Sequence, residues 1–226
     1  MTFNFLENVL FRHKQKVWLK DLAVVANYLN DRGLRWWVDG GNLLAIVRDK
    51  NLLPNRQDND IDITMPWNRQ QFEKLHDFRS FFEENGYNIE VTYFTLKVKR
   101  RIKIFGNHSV FLRILKKFNR LDYLIYTPIH ISLFRKFDGY YLNTWLNNPC
   151  GDYLPRVVPC SFYEGELRKF DMEGVCLNLP PAPDSYLSLK YGSGWRIPTK
   201  GWVYGRDDGT INKDWVGSAV YHGWDE

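Results

Sequence analysis

Apolar positions along this chain switch between a helical and a strand period, and the switches outline its elements. Over residues 17–32, Trp18, Leu22, Val25 and Leu29 recur at i, i+4, i+7 and i+11, an amphipathic helical stripe, with Gly33 placed to end it. Residues 34–38 read as a strand. Asp39-Gly40-Gly41 reads as a tight turn into a short helix over 42–49. A polar loop over 50–57 delivers the chain to a strand over 60–63, which Pro66 and Trp67 end. A helix over 68–85 is predicted next, with Phe72, Leu75, Phe78 or Arg79, and Phe82 at helical spacing and Gly86 beyond it. Two β-like runs follow, 87–93 and 95–105. In the second, Lys97, Lys99 and Arg101 share one face, either as a solvated surface or as a basic wall beside a phosphate ligand.

Residues 111–120 read as a short amphipathic helix, 121–134 as two β-rich runs divided at Pro128, and 137–142 as a further strand. The stretch 147–183 is rich in Pro and Gly and holds a short strand over 175–179. Asp184 is placed to cap a helix over 185–191 that stops at Gly192. The last thirty residues carry Trp195, Trp202, Trp215 and Trp224 among many glycines, with little periodicity. Strands and helices in this order predict an α+β domain spanning 1–226, with a Pro/Gly/Trp-rich C-terminal extension and no repeat or dividing linker.

The candidate chemistry lies in Asp58-Asn59-Asp60-Ile61-Asp62-Ile63. Side chains alternate faces along a strand, so Asp60 and Asp62 point the same way while Ile61 and Ile63 enter an apolar layer. Parallel carboxylates repel each other, and a hard divalent cation, which also bridges substrate phosphates, is a natural way to hold them. Upstream, a strand followed by Gly-Gly and a helix exposes backbone N–H groups suited to a phosphate. Asp39 either caps that helix or orients a ligand.

Composition narrows the partners. The chain has 226 residues, 44% hydrophobic and 25% charged, as an ordinary globular protein does. Aromatics reach 16%, so some rings are candidates to stack on a base or sugar beyond those in the core. A net charge of +5 favours anionic ligands without requiring nucleic acid, for which no signature is present. Three cysteines without a CxxC spacing argue against a disulfide framework or zinc site and fit a reducing, cytoplasmic compartment. No signal-peptide h-region and no membrane-spanning apolar run is found.

Two separated blocks carry a resemblance. Trp37-Val38-Asp39-Gly40-Gly41-Asn42-Leu43-Leu44, then Arg48, Leu53-Pro54 and Asp58-Asn59-Asp60-Ile61-Asp62-Ile63 form the first, within 34–65. Pro159, Glu173-Gly174-Val175, Pro180-Pro181, Tyr186-Leu187 and Tyr191-Gly192-Ser193-Gly194-Trp195-Arg196-Ile197-Pro198 form the second, within 159–200. In this order they resemble the LicD family, which includes bacterial phosphocholine transferases, fukutin and fukutin-related protein. The resemblance implies a nucleotidyltransferase-like mixed β-sheet flanked by helices. It also implies transfer of a phosphorylated alcohol, phosphocholine or an alditol phosphate, from a CDP-activated donor to a hydroxyl of a glycan or glycolipid. Asp60 and Asp62, with Asp58 as a further ligand or outer support, are then expected to hold Mg²⁺ or Mn²⁺. Gly40, Gly41, Asn42 and Arg48 are expected on the nucleotide and phosphates.

The chain departs from the family at a later strand, where a further Asp is usual. Here Ile129-His130-Ile131-Ser132-Leu133-Phe134 puts Ser132 at the expected place. Asp122 or Asp138 supplies the carboxylate, His130 acts as base, or activity is weak or absent. The segment Pro54-Asn55-Arg56-Gln57 also lacks the family's Trp. Two other functions use the same features: a nucleotidyltransferase with an NTP donor, and a noncatalytic glycan- or nucleotide-binding protein on this scaffold.

Overall fold

A computed structural model describes residues 2–54, 60–91, 95–100, 128–147, 152–199 and 201–212. The expected helix over 111–120, the run over 121–127, and Asp58, Asp122, Trp215 and Trp224 lie outside these residues. Helix α1 spans Thr2–Asp31. It begins fifteen residues earlier than its apolar stripe suggests, because no Pro or Gly interrupts the backbone between Thr2 and Asp31. The stripe itself is core: Trp18, Leu22, Val25 and Leu29 are all buried.

After α1 come β1 (Trp37–Val38), α2 (Gly40–Asp49) and β2 (Ile61–Trp67). The loop after α2 is less polar than its sequence suggests, since Leu52 and Leu53 are buried and their N–H groups donate to Gln15 Oε1. The predicted helix over 68–85 is two helices, α3 (Arg69–Glu73) and α4 (Phe78–Glu84). The break falls where Asp77 turns to accept from Tyr28 at 2.7 Å and to pair with Arg32. That turn shifts the helical phase: Phe78 and Phe82 enter the core and Phe72 faces solvent.

Strands β3 (Tyr87–Val91), β4 (Thr95–Arg100), β5 (Pro128–Phe137), β6 (Tyr140–Asn147) and β7 (Asp152–Pro159) complete a seven-stranded sheet. Pro128 opens β5, where a missing N–H is tolerated. The strand predicted over 137–142 is instead a hairpin corner: Asp138 and Gly139 have φ of 44° and 77°, the two-residue turn that joins β5 to β6. Asp-Gly between apolar runs was the available signal. Strand β7 pairs with β6 at the far side, so the start of the Pro- and Gly-rich stretch enters the main sheet, its prolines on an edge strand.

The chain then forms a β8–β9 hairpin (Arg168–Met172 and Val175–Leu179), α5 (Pro183–Tyr191) and a short α6 (Tyr204–Asp207). Pro183 starts α5, the position its fixed φ suits, and Asp184 pairs with Arg196 instead of capping the helix. The architecture is a mixed α+β domain, mostly antiparallel, with β2 and β5 a parallel pair. Along that pair Ile61, Ile63, Ile129 and Ile131 point into one layer with Val98 of β4, all fully buried in the core that holds the α1 stripe. Each such side chain stabilises the fold by about 1.5–3 kcal/mol of burial. The opposite face carries the polar residues. Among the described residues no helix is long and apolar enough to cross a membrane.

Candidate metal centre

Apolar alternation in β2 fixes the site, because burying Ile61 and Ile63 on one face forces Asp62 onto the other. The backbone of Asp62 is then clamped from both sides. Its N–H donates to Asn42 Oδ1 at 2.8 Å, and its carbonyl accepts from the Asp39 N–H at 2.9 Å. The Asn42 amide nitrogen also donates to the Leu52 carbonyl at 3.0 Å and the Asp60 carbonyl at 3.4 Å. Asn42 is buried, with both amide hydrogens and its oxygen engaged inside the protein. Its side chain braces the Asp60–Asp62 segment.

Gly40 lies directly against the Asp62 side chain. It adopts φ of 59°, and a Cβ built there would stand 2.4 Å from Asp62 Oδ2. Glycine is therefore required twice over, for the left-handed turn and for the space. Gly40 and Gly41 form the first residues of α2, which starts two positions earlier than predicted. The helix brings its N-terminal end to the Asp62 carboxylate. Arg48 is in the last turn, about 12 Å further along the axis at about 1.5 Å per residue, and its Nη2 pairs with Asp49 at 2.8 Å. The structure does not bring it to the acidic pair.

The ladder settles which residue of β5 joins them. Asp62 is opposite His130, and Thr64 is opposite Ser132. Ser132 therefore sits one rung deeper, 5% exposed, with Thr95 of β4 on its other side. The residue beside the acidic pair is His130. His130 Nδ1 is 3.4 Å from Asp60 Oδ2, and one ligand atom from each of Asp60, Asp62 and His130 lies within 4.8 Å of the others. Asp138, at the hairpin corner eight residues beyond His130, is about 26 Å away at about 3.3 Å per residue.

Burial pulls the His130 imidazole below its ordinary value; Asp60 pulls upward, while Lys97 and Lys99 reinforce the lowering. Lys97 is the rung neighbour of His130, and Glu90 that of Lys97. Both lysines reach Glu90, at 3.3 and 2.9 Å, so the basic face of β4 borders the acidic pair while holding its own counter-charge. Arg101 lies outside the described residues. A cavity of about 560 Å³ opens elsewhere, between α1, the loop after α2 and the β8–β9 hairpin, and no candidate residue lines it.

Asp39 resolves as a structural residue. Its Oδ1 accepts from Gly40 N–H and Tyr186 O–H, both at 2.7 Å, and its Oδ2 accepts from Thr64 Oγ1 at 2.6 Å and Arg156 Nη2 at 2.8 Å. Burial opposes its ionisation, yet Arg156, Lys190 and the Thr64 hydroxyl outweigh that and hold the carboxyl well below the usual range. Tyr186 also accepts from Tyr163 at 3.0 Å, and Lys190 pairs with buried Asp208. Tyr186 and Asp39 are 147 residues apart, one in each sequence block. Arg156, Tyr163, Lys190 and Asp208 were not anticipated, and no spacing in the sequence marks them.

Together these features define a mixed-sheet domain with a two-carboxylate, one-imidazole cluster at the start of its parallel strand pair, beside a glycine-led helix. A divalent cation fits that donor set. The chain matches no protein-family model and no curated protein.

Proposed function

We propose that this chain is a divalent-metal-dependent transferase of the LicD type, with a nucleotidyltransferase-like sheet, acting in the cytoplasm. It moves a phosphorylated alcohol from a CDP-activated donor to a glycan hydroxyl. The observation that carries this reading is the convergence of Asp60, Asp62 and His130 beside the bare backbone of Gly40. The hydrogen bond from Tyr186 to Asp39 adds support, because it ties together the two sequence blocks on which the family resemblance rests.

Asp60 and Asp62 would hold the cation, which when bound would offset charge on the donor diphosphate. The N-terminal end of α2 would face the phosphates. Lys97 and Lys99 supply positive potential along one rim. The acceptor oxygen bonds to the phosphorus that carries the alcohol, and the bond from that phosphorus to the bridging oxygen breaks. CMP leaves with the electron pair, and the hydroxyl proton passes to water.

The test is release of CMP from CDP-choline, CDP-ribitol or CDP-glycerol in the presence of Mg²⁺ or Mn²⁺. Asp60→Ala and Asp62→Ala are expected to lower turnover by at least about 10³-fold, about 4 kcal/mol of barrier, while each melts as the parent does. Activity that survives both substitutions would sink the assignment. Pyrophosphate released from an NTP would mark a nucleotidyltransferase instead, and glycan binding with neither metal dependence nor turnover would mark a binding protein.

A further inference from the structure

We infer that His130 is the third ligand of the cation held by Asp60 and Asp62, and that its imidazole makes this site prefer a first-row transition ion such as Mn²⁺ over Mg²⁺. The inference deepens the proposed function and rests on its metal site. Three observations support it. First, the spacing is that of neighbouring ligands. Two atoms each about 2.1 Å from one ion stand about 3.0–3.4 Å apart at angles between 90° and 109°. His130 Nδ1 and Asp60 Oδ2 are 3.4 Å apart. One ligand atom from each of the three residues lies within 4.8 Å of the others, an upper bound about 0.6 Å wider than the roughly 4.2 Å that trans ligands of such an ion span.

Second, the ladder fixes the ring in place. His130 is opposite Asp62 within a parallel pair whose other face is fully buried, so neither strand can slip without turning isoleucines to solvent. Register puts His130 on the rung of Asp62. Third, two carboxylates and a neutral imidazole carry two negative charges and neutralise a divalent ion. Magnesium favours oxygen ligands throughout and keeps its waters, whereas a site that includes nitrogen binds first-row transition ions with an affinity that rises from Mn²⁺ towards Cu²⁺. With Nδ1 turned to the carboxylates, His130 belongs to the ion's shell and is not the base that receives the acceptor proton.

The test measures metal binding directly, on the full chain and without substrate. Titration calorimetry with MnCl₂ and MgCl₂ is expected to give at least tenfold tighter binding of Mn²⁺. His130→Asp, which makes the donor set all-carboxylate, is expected to narrow that ratio several-fold. His130→Ala is expected to weaken Mn²⁺ by about tenfold or more while changing Mg²⁺ little. Electron spin-echo spectra of Mn²⁺ bound to the parent should show modulation by a directly coordinated nitrogen. That readout needs no variant, so it decides the matter even where a substitution impairs folding.

Absence of nitrogen modulation in the parent, or an unchanged Mn²⁺/Mg²⁺ ratio in folded His130→Asp, would overturn the inference. A parent that binds neither ion would overturn both the inference and the metal site beneath it. Nitrogen-ligated Mn²⁺ without CMP release would leave the inference standing and remove the transferase. CMP release supported equally by Mg²⁺ and Mn²⁺, with no nitrogen signal, would do the reverse.

Discussion

Two groups of aspartates from the same sequence block end in opposite electrostatic circumstances. Asp39 is 1% exposed, and its two oxygens accept from Gly40, Tyr186, Thr64 and Arg156. Asp60 is 37% exposed and converges with Asp62 on an imidazole that is 16% exposed. The first group is closed by protein donors. The second gathers negative charge at one point on the polar face, where like charges raise one another's energy. A carboxylate that caps and pairs stabilises the fold, while a crowded half-exposed pair is suited to a cation from outside. Chemical type alone does not separate the two roles, because burial and the number of donors decide them.

The largest effect tests the closed group. Arg156→Met leaves the Asp39 carboxylate buried without its main counter-charge and is expected to cost about 3–5 kcal/mol of stability in urea denaturation. Adding Asp39→Asn to it should recover a good part, since two neutral groups remain. If Asp60→Asn destabilised as much as Arg156→Met, the contrast between the groups would collapse. A pH signature sharpens it. The Asp39 carboxyl titrates well below its unfolded value of about 3.9, so its contribution is fully present above that value and is lost as pH falls through the folded one. The stability difference between parent and Asp39→Asn should therefore be flat from pH 5 to 8 and shrink below about pH 4.

A smaller effect falls where the groups meet. Gly40→Ala is expected to lower stability by about 1–2 kcal/mol for the left-handed backbone, and its methyl would push the Asp62 carboxylate aside. Mn²⁺ affinity measured by calorimetry should fall at least tenfold, and a variant that keeps parental affinity would show that Asp62 is not held by that contact. The smallest effect is at the rim. Lys97→Gln removes one partly screened charge worth about 0.5–1 kcal/mol and should raise the KM for a CDP-alcohol two- to fivefold with little change in kcat.

Much of the fold was legible where one apolar face dominated. The α1 stripe, the Gly-Gly turn into α2, and the alternation around Asp60 and Asp62 all follow from periods of 3.6 and 2. The sequence was misleading where a distant partner intervened. Asp77 broke a predicted helix by reaching back to Tyr28 and Arg32, and pairing with β6 drew the Pro-rich β7 into the sheet. Such partners are invisible to local periodicity.

The candidate site divides the same way. That Asp60 and Asp62 share a face, with a glycine turn before them, follows from residue order, because strand alternation and left-handed backbone are local properties. Folding put His130 on their rung and Ser132 off it, since register between strands 68 residues apart is set by which isoleucines the core buries. It also decided that Asn42 braces the acidic strand and that Asp39 belongs to a buried network reaching Tyr186. The physical reason is common to these cases: a side chain's charge is written in the sequence, whereas its solvation and its counter-charges come from residues that only folding brings near.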